Sequence, residues 1–279
     1  MSEEIDKKIV SDAGVEELVD IVAALDGSGR EIILQSLDKE LTETKKKELI
    51  ARITKTVLVT DTKIKEWITN RLPLVYISGM NQSGEVIAKI QGKKMPEPLT
   101  LELLRGSAEM SPHIDAVNRI MSDAYLDFGN AMSGYVRGAE HKLNNTMKQQ
   151  IQRKLAVGRL DGAGAKEIAE TIVRDLGDQG FTVLLDKRGT QWSLERYSDM
   201  LARTHVIRAN NEGTINRCLD YQIDIVEVSA HKTQCKICGP YEGKKFSITG
   251  KSRNYPKLEV QWPIHPNCRH SLLPRPDLN

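Results

Sequence analysis

Ser229-Ala230-His231-Lys232-Thr233-Gln234-Cys235-Lys236-Ile237-Cys238-Gly239-Pro240, with His265-Pro266-Asn267-Cys268-Arg269-His270 further on, decides how this 279-residue chain is read. The first run supplies Cys-x2-Cys and the second His-x2-Cys, with 26 residues between Cys238 and His265. A Cys-x2-Cys turn brings two thiolates to one ion while backbone amides donate to the sulfurs. His-x2-Cys then completes four soft or borderline ligands suited to tetrahedral zinc. The spacing predicts a structural Zn2+ held by Cys235, Cys238, His265 and Cys268. His270 is the alternative fourth ligand, because in an extended segment it points to the same side as Cys268. His231 is expected beside the site rather than on the ion.

Around these runs the chain is turn-rich. Gly239, Gly243, Gly250, Pro256, Pro263 and Pro266 punctuate it, and Ile223 to Val228 alternates like a strand. Residues 221–279 are therefore expected to form a small α+β module. A module of that size has little surface to bury, which makes a metal staple physically reasonable. Residues 228–279 carry nine basic and three acidic groups, while the whole chain is only +2. A local excess of this kind favours a polyanion. The four cysteines, Cys218 among them as a plain buried thiol, do not form a secreted disulfide framework. A redox Cys-x-x-Cys is disfavoured because no thioredoxin-like βαβ pattern precedes it.

Upstream the pattern is helical, giving a mainly α chain: a helical region over 1–110, a helical central region over 111–220, and the Cys/His module. Val15, Leu18, Val19 and Val22 share one helix face. Asp26-Gly27-Ser28-Gly29 is expected to break that helix. Thr60-Asp61 is expected to cap a third helix, Pro73 to interrupt it, and Gly79 to Gly84 to form a turn or break. Residues 91–112 read as a loop-rich boundary, and Ala116 to Arg153 as helix. Ala163 to Leu176 is an amphipathic piece closed by Gly177. Phe181 to Leu185 is either a short strand or a buried turn. Trp192-Ser193 starts a helix running to about Arg217. His113 and His141 are expected to be structural and without partners, and His205 to lie at the surface or in packing. Hydrophobic residues make up 39% and aromatics 5% of the chain, which fits an aliphatic helical core. No apolar run approaches a bilayer span, and no secretory signal is visible at the start. Phosphate-binding loops, dinucleotide fingerprints and nucleophile elbows are not found.

The run Ala202-Arg203-Thr204-His205, Asn210-Asn211-Glu212-Gly213, Val226 to His231, Cys235-x-x-Cys238, Gly243-Lys244 and the final His265 to His270 with Pro274 resembles the Mu F-like family of tailed-phage minor head (head morphogenesis) proteins. The likeness spans roughly residues 190–276. Many members end the last signature with Cys where this chain has His270. The resemblance implies a virion component of the capsid interior, made in the bacterial host cytoplasm. It would assist assembly near the portal protein, scaffold or major capsid protein, without an established enzymatic activity. Contact with packaged double-stranded DNA would then run through Lys232, Lys236, Lys244, Lys245, Lys251, Arg253 and Arg269, independent of sequence. Three alternatives stand beside this. One is a zinc-stapled ββα-metal (HNH-like) nuclease, for which an acidic partner close to the histidines is missing from the sequence pattern. Another makes Cys268 a nucleophile, and a third is a generic nucleic-acid-binding zinc module.

Overall fold

A computed structural model describes residues 8–11, 13–34, 41–94, 97–106, 110–157, 182–185 and 191–278. The chain is mainly α, with a small C-terminal α+β region. Among the described residues the helices include α1 (Val15–Leu34), α2 (Glu43–Gln91), α3 (Leu101–Gly106), α4 (Ser111–Val157) and α5 (Leu194–Asp220). Strand β1 (Thr182–Leu185) pairs antiparallel with β2 (Gln191–Ser193), so that stretch is a strand and not a helical turn. Strands β3 (Ile225–Val228), β4 (Lys245–Ser247) and β5 (Leu272–Pro274) form an antiparallel sheet in the order β4-β3-β5. Pro274 sits on an edge strand, where its missing N–H costs no ladder bond. The expected helix over Ala163 to Leu176 lies outside the described residues.

Three expected helix breaks are absent. α1 runs straight through Asp26 to Gly29. Asp26 and Arg30 pair at 2.5 Å one turn apart, and buried Leu25 and Ile33 hold the helix on both sides of Gly27. α2 is continuous for 49 residues through Thr60, Asp61, Pro73 and Gly79. Asp61 pairs with Lys65 at 2.6 Å inside the helix rather than capping it. An interior proline costs about 3 kcal/mol, but Leu72, Val75, Tyr76, Ile77 and Met80 around it are all buried, and that burial outweighs the lost bond. α2 ends at Gly92, whose φ of 63° and the bonds Gly92 N–H to Lys89 O and Lys93 N–H to Ala88 O (2.9 Å) form a Schellman cap. α5 starts where expected, with Ser193 Oγ accepting from Arg196 N–H at 3.4 Å, and extends three residues past Arg217.

The chain divides into two compact units whose borders fall within the long helices. Glu16–Glu66 with Leu126–Asp199 make one. Its core includes Leu18, Leu25, Ile33, Leu49, Ile53 and Phe128, and Gln150 caps the Leu41 N–H at 2.8 Å. Met1–Val15, Trp67–Tyr125 and Met200–Asn279 make the other. In it, a Cβ at Gly79 would overlap the Asn210 carbonyl and one at Gly213 the Tyr76 carbonyl, so α2 and α5 touch backbone to backbone there. Asn81 clamps Leu99 with both ends of its amide, at 2.8 and 3.0 Å. His113 is buried and partnered, contrary to expectation. Its Nδ1 lies 2.8 Å from Tyr76 Oη and its Nε2 3.4 Å from Asp220. His205 is a buried packing residue, and His141 is exposed beside Asn145. Trp262, Phe246, Val226, Val228 and Leu272 form a cluster with Ile87 and Cys218, so the tail shares apolar packing with helices α2 and α5.

Candidate metal centre

Strand β3 brings the two halves of the centre together. Just past its end, Ser229 N–H donates to Ser271 O at 2.9 Å, Ser271 N–H donates to Ser229 Oγ at 2.9 Å, and Gly243 N–H donates to Val228 O at 2.9 Å. The first half then turns tightly. Cys235 N–H donates to Thr233 Oγ1 at 3.2 Å, Gly239 N–H to Cys235 O at 2.9 Å, and a 3-10 turn follows over Gly239–Tyr241. The second half is a β-turn closed by Cys268 N–H to His265 O at 3.2 Å. Pro266 suits its second position and Asn267, at φ 60°, its third, because asparagine tolerates the left-handed region. Asn267 N–H is anchored on Thr204 Oγ1 of α5 at 3.0 Å. Asn211, fully buried, donates to His270 O at 3.1 Å and accepts from Leu272 N–H at 2.9 Å, fastening the segment that follows.

The predicted donors fall into two groups of three. Cys235, Cys238 and His265 have ligand atoms within 4.8 Å of one another, and so do Cys238, Cys268 and His270, with Cys238 common to both groups. Cys235 Sγ lies 3.5 Å from His265 Nε2, and Cys268 Sγ lies 3.4 Å from His270 Nδ1. Cys238, Cys268 and His270 are buried, while Cys235 and His265 are half-buried. His231 meets His270 edge-on, with ring centroids 4.7 Å apart and planes at 61°, and its Nε2 lies 2.9 Å from Ser229 Oγ, beside the cluster.

The residues suit a zinc-type ion. Three sulfurs and two imidazoles are the donors such an ion takes. Backbone N–H groups of Cys238 and Ile237 donate to the Cys235 sulfur, and with the Cys238 side chain they bring that thiol down to about 7. Burial and the neighbouring Cys235 and Cys268 push Cys238 up to about 12, and burial raises Cys268. A bound divalent cation reverses that balance, because a coordinating thiol is deprotonated outright. Each histidine also has its second nitrogen engaged, His265 Nδ1 at 2.8 Å from Pro266 O and His270 Nε2 at 3.0 Å from Glu242 Oε1.

Glu242 corrects the reading that no acidic group stands near the histidines. Its Oε1 accepts from His231 N–H at 2.9 Å and Thr233 N–H at 3.1 Å as well as from His270. Partial burial raises its pKa, but these three hydrogen bonds outweigh that and hold the carboxyl at about 2. That oxygen already receives three donors, and His270 beside it is only 2% exposed. Cys268 is 3% exposed, and burial raises its pKa.

Of the basic residues predicted for DNA, Lys232, Lys236, Lys244, Lys251, Arg253 and Arg269 are exposed. Lys245 is half-buried, with its Nζ 3.4 Å from Glu227, so its charge is already engaged. Glu242, Asn211 and Thr204 escaped sequence reasoning as contributors to the centre. Their signal is long-range pairing, which spacing along the chain does not display.

Long helices, a three-stranded sheet and a buried Cys/His cluster define a class: an α-helical protein with a small tail module that could hold a metal ion. Residues 84–275, more than half of the chain, match the family described as Phage minor capsid protein 2, and the chain belongs to that family. A relative named "Structural protein" from Lactococcus phage LL-H is 28% identical over 104 residues, covering 33% of this chain and 28% of the relative's own length. No solved structure matches. The expectation of a phage minor capsid protein is borne out, and the match begins far upstream of residue 190, where the resemblance in the sequence began. Among the described residues, no helix is long and apolar enough to cross a membrane.

Proposed function

We propose that this phage head protein plays a structural part in the virion. In this reading its helical body docks on portal, scaffold or major capsid subunits during assembly in the host cytoplasm. Its tail faces packaged double-stranded DNA in the capsid interior. The family match carries the reading, because it takes in the C-terminal end of α2, all of α4 and α5, and the whole Cys/His centre. Cys235, Cys238 and Cys268 with one histidine would hold a structural Zn2+, which ties together the two loops that meet at β3. The exposed Lys232, Lys236, Lys244, Lys251, Arg253 and Arg269 supply charge for phosphates. The test is mass spectrometry of purified virions made with and without the gene. The expected result is the chain at low copy in intact heads and defective heads without it. Normal, infectious heads lacking the chain would overturn the reading.

A further inference from the structure

We propose that Glu242 is the positioning residue of the Cys/His centre: it fixes His270 as the Nε2–H tautomer, so that Nδ1 is the nitrogen presented to the metal. This rests on reading the cluster as a metal site. A carboxylate only accepts, so the imidazole nitrogen facing it at 3.0 Å carries the hydrogen. The lone pair then sits on Nδ1, the atom 3.4 Å from Cys268 Sγ. Glu242 and the sulfurs meet opposite nitrogens of one ring, which places the carboxylate behind the ligand and off the ion.

The same oxygen takes the N–H groups of His231 and Thr233, and Thr233 Oγ1 in turn receives Cys235 N–H. One carboxylate therefore couples the approach to the Cys-x2-Cys turn with the histidine of the other half. Among the described residues His265 has no such carboxylate support. It is half-buried, and its second nitrogen faces only the carbonyl of the next residue, Pro266. Of the two histidines, His270 is the one that is both buried and oriented by another side chain. Carboxylates in this position fix ring orientation and raise ligand basicity, and their loss weakens metal binding about 10–100-fold.

The test uses the full chain as wild type, Glu242→Ala and Glu242→Gln. Zinc affinity is read by chelator competition, thiolate ligation by the sulfur-to-cobalt band after Co2+ substitution, and the tautomer by 15N-histidine NMR. Glu242→Ala is expected to lose about 10–100-fold in zinc affinity while keeping the thiolate band. Glu242→Gln retains an acceptor oxygen and is expected to recover most of the loss. In the wild type His270 is expected to be protonated on Nε2 and coordinated through Nδ1. A metal-loaded wild type with an equally tight Glu242→Ala overturns the role of Glu242 alone. A wild type that binds no zinc overturns the site reading along with it. Should Glu242→Ala fail to fold, wild-type and Glu242→Gln spectra decide: coordination through Nε2, or none by His270, overturns the proposal.

Discussion

Asn211 carries no charge and no reactive atom, yet it reaches from α5 to hold the backbone on both sides of Ser271. It is fully buried, so removing its amide strands a carbonyl and an N–H without water. Each stranded group costs about 1–3 kcal/mol. Asn211→Ala is accordingly expected to lower unfolding stability by about 2 kcal/mol or more, read as a drop in the urea midpoint. Asp224 makes the complementary case for charge. Partial burial raises its pKa, but Ser247 Oγ–H at 2.5 Å and Thr249 N–H at 2.8 Å donate to it and leave the carboxyl below its usual value. A folded-state pKa below the unfolded one adds stability at pH values above the unfolded pKa, and that stability is lost as pH falls through the folded one. The stability gap between wild type and Asp224→Asn should hold steady near neutrality and shrink once pH drops below about 4. Equal gaps at pH 7 and pH 3 would show that these hydrogen bonds do not favour the ionised form.

At the scale of elements, two glycines in helix interiors have opposite consequences. Gly27 is exposed in α1, and a Cβ there would meet no atom within 4 Å, so Gly27→Ala should stabilise by about 0.5–1 kcal/mol. Gly79 faces the Asn210 backbone, and Gly79→Ala should destabilise by about 1–3 kcal/mol as the two helices are forced apart. Thermal melts of both variants check the pair. The same contrast explains what the sequence made legible. Helical periodicity placed α4 and α5 well, and Ile223 to Val228 held the central strand, because those signals are local. Pro73, Gly79 and the Asp26 to Gly29 run read as breaks because each residue alone disfavours helix. What keeps the helices whole is burial at Leu72, Tyr76 and Met80, the Asp26–Arg30 pair and the Gly79–Asn210 contact. The Cys-x2-Cys and His-x2-Cys turns were legible because short fixed spacings define them. Glu242 was not, because its partners lie 9, 11 and 28 residues away.

For the whole molecule, a mainly α chain of the Phage minor capsid protein 2 family ends in a basic region built around a buried Cys/His cluster. If that region meets DNA, the full chain should shift duplex DNA of any sequence at low salt and release it as salt rises. Replacing Lys232, Lys236, Lys244, Lys251, Arg253 and Arg269 with alanine should flatten the salt dependence, whereas Lys245→Ala, already paired with Glu227, should change it little. A shift that the six replacements leave untouched would remove this face from consideration. Whether the two loops at β3 are tied by an ion is tested most directly by metal content with X-ray absorption on freshly purified, unchelated protein. The expected result is one zinc per chain, with three sulfurs at about 2.3 Å and one nitrogen at about 2.0 Å. Protein that is folded and holds no stoichiometric metal would contradict a metal-tied tail.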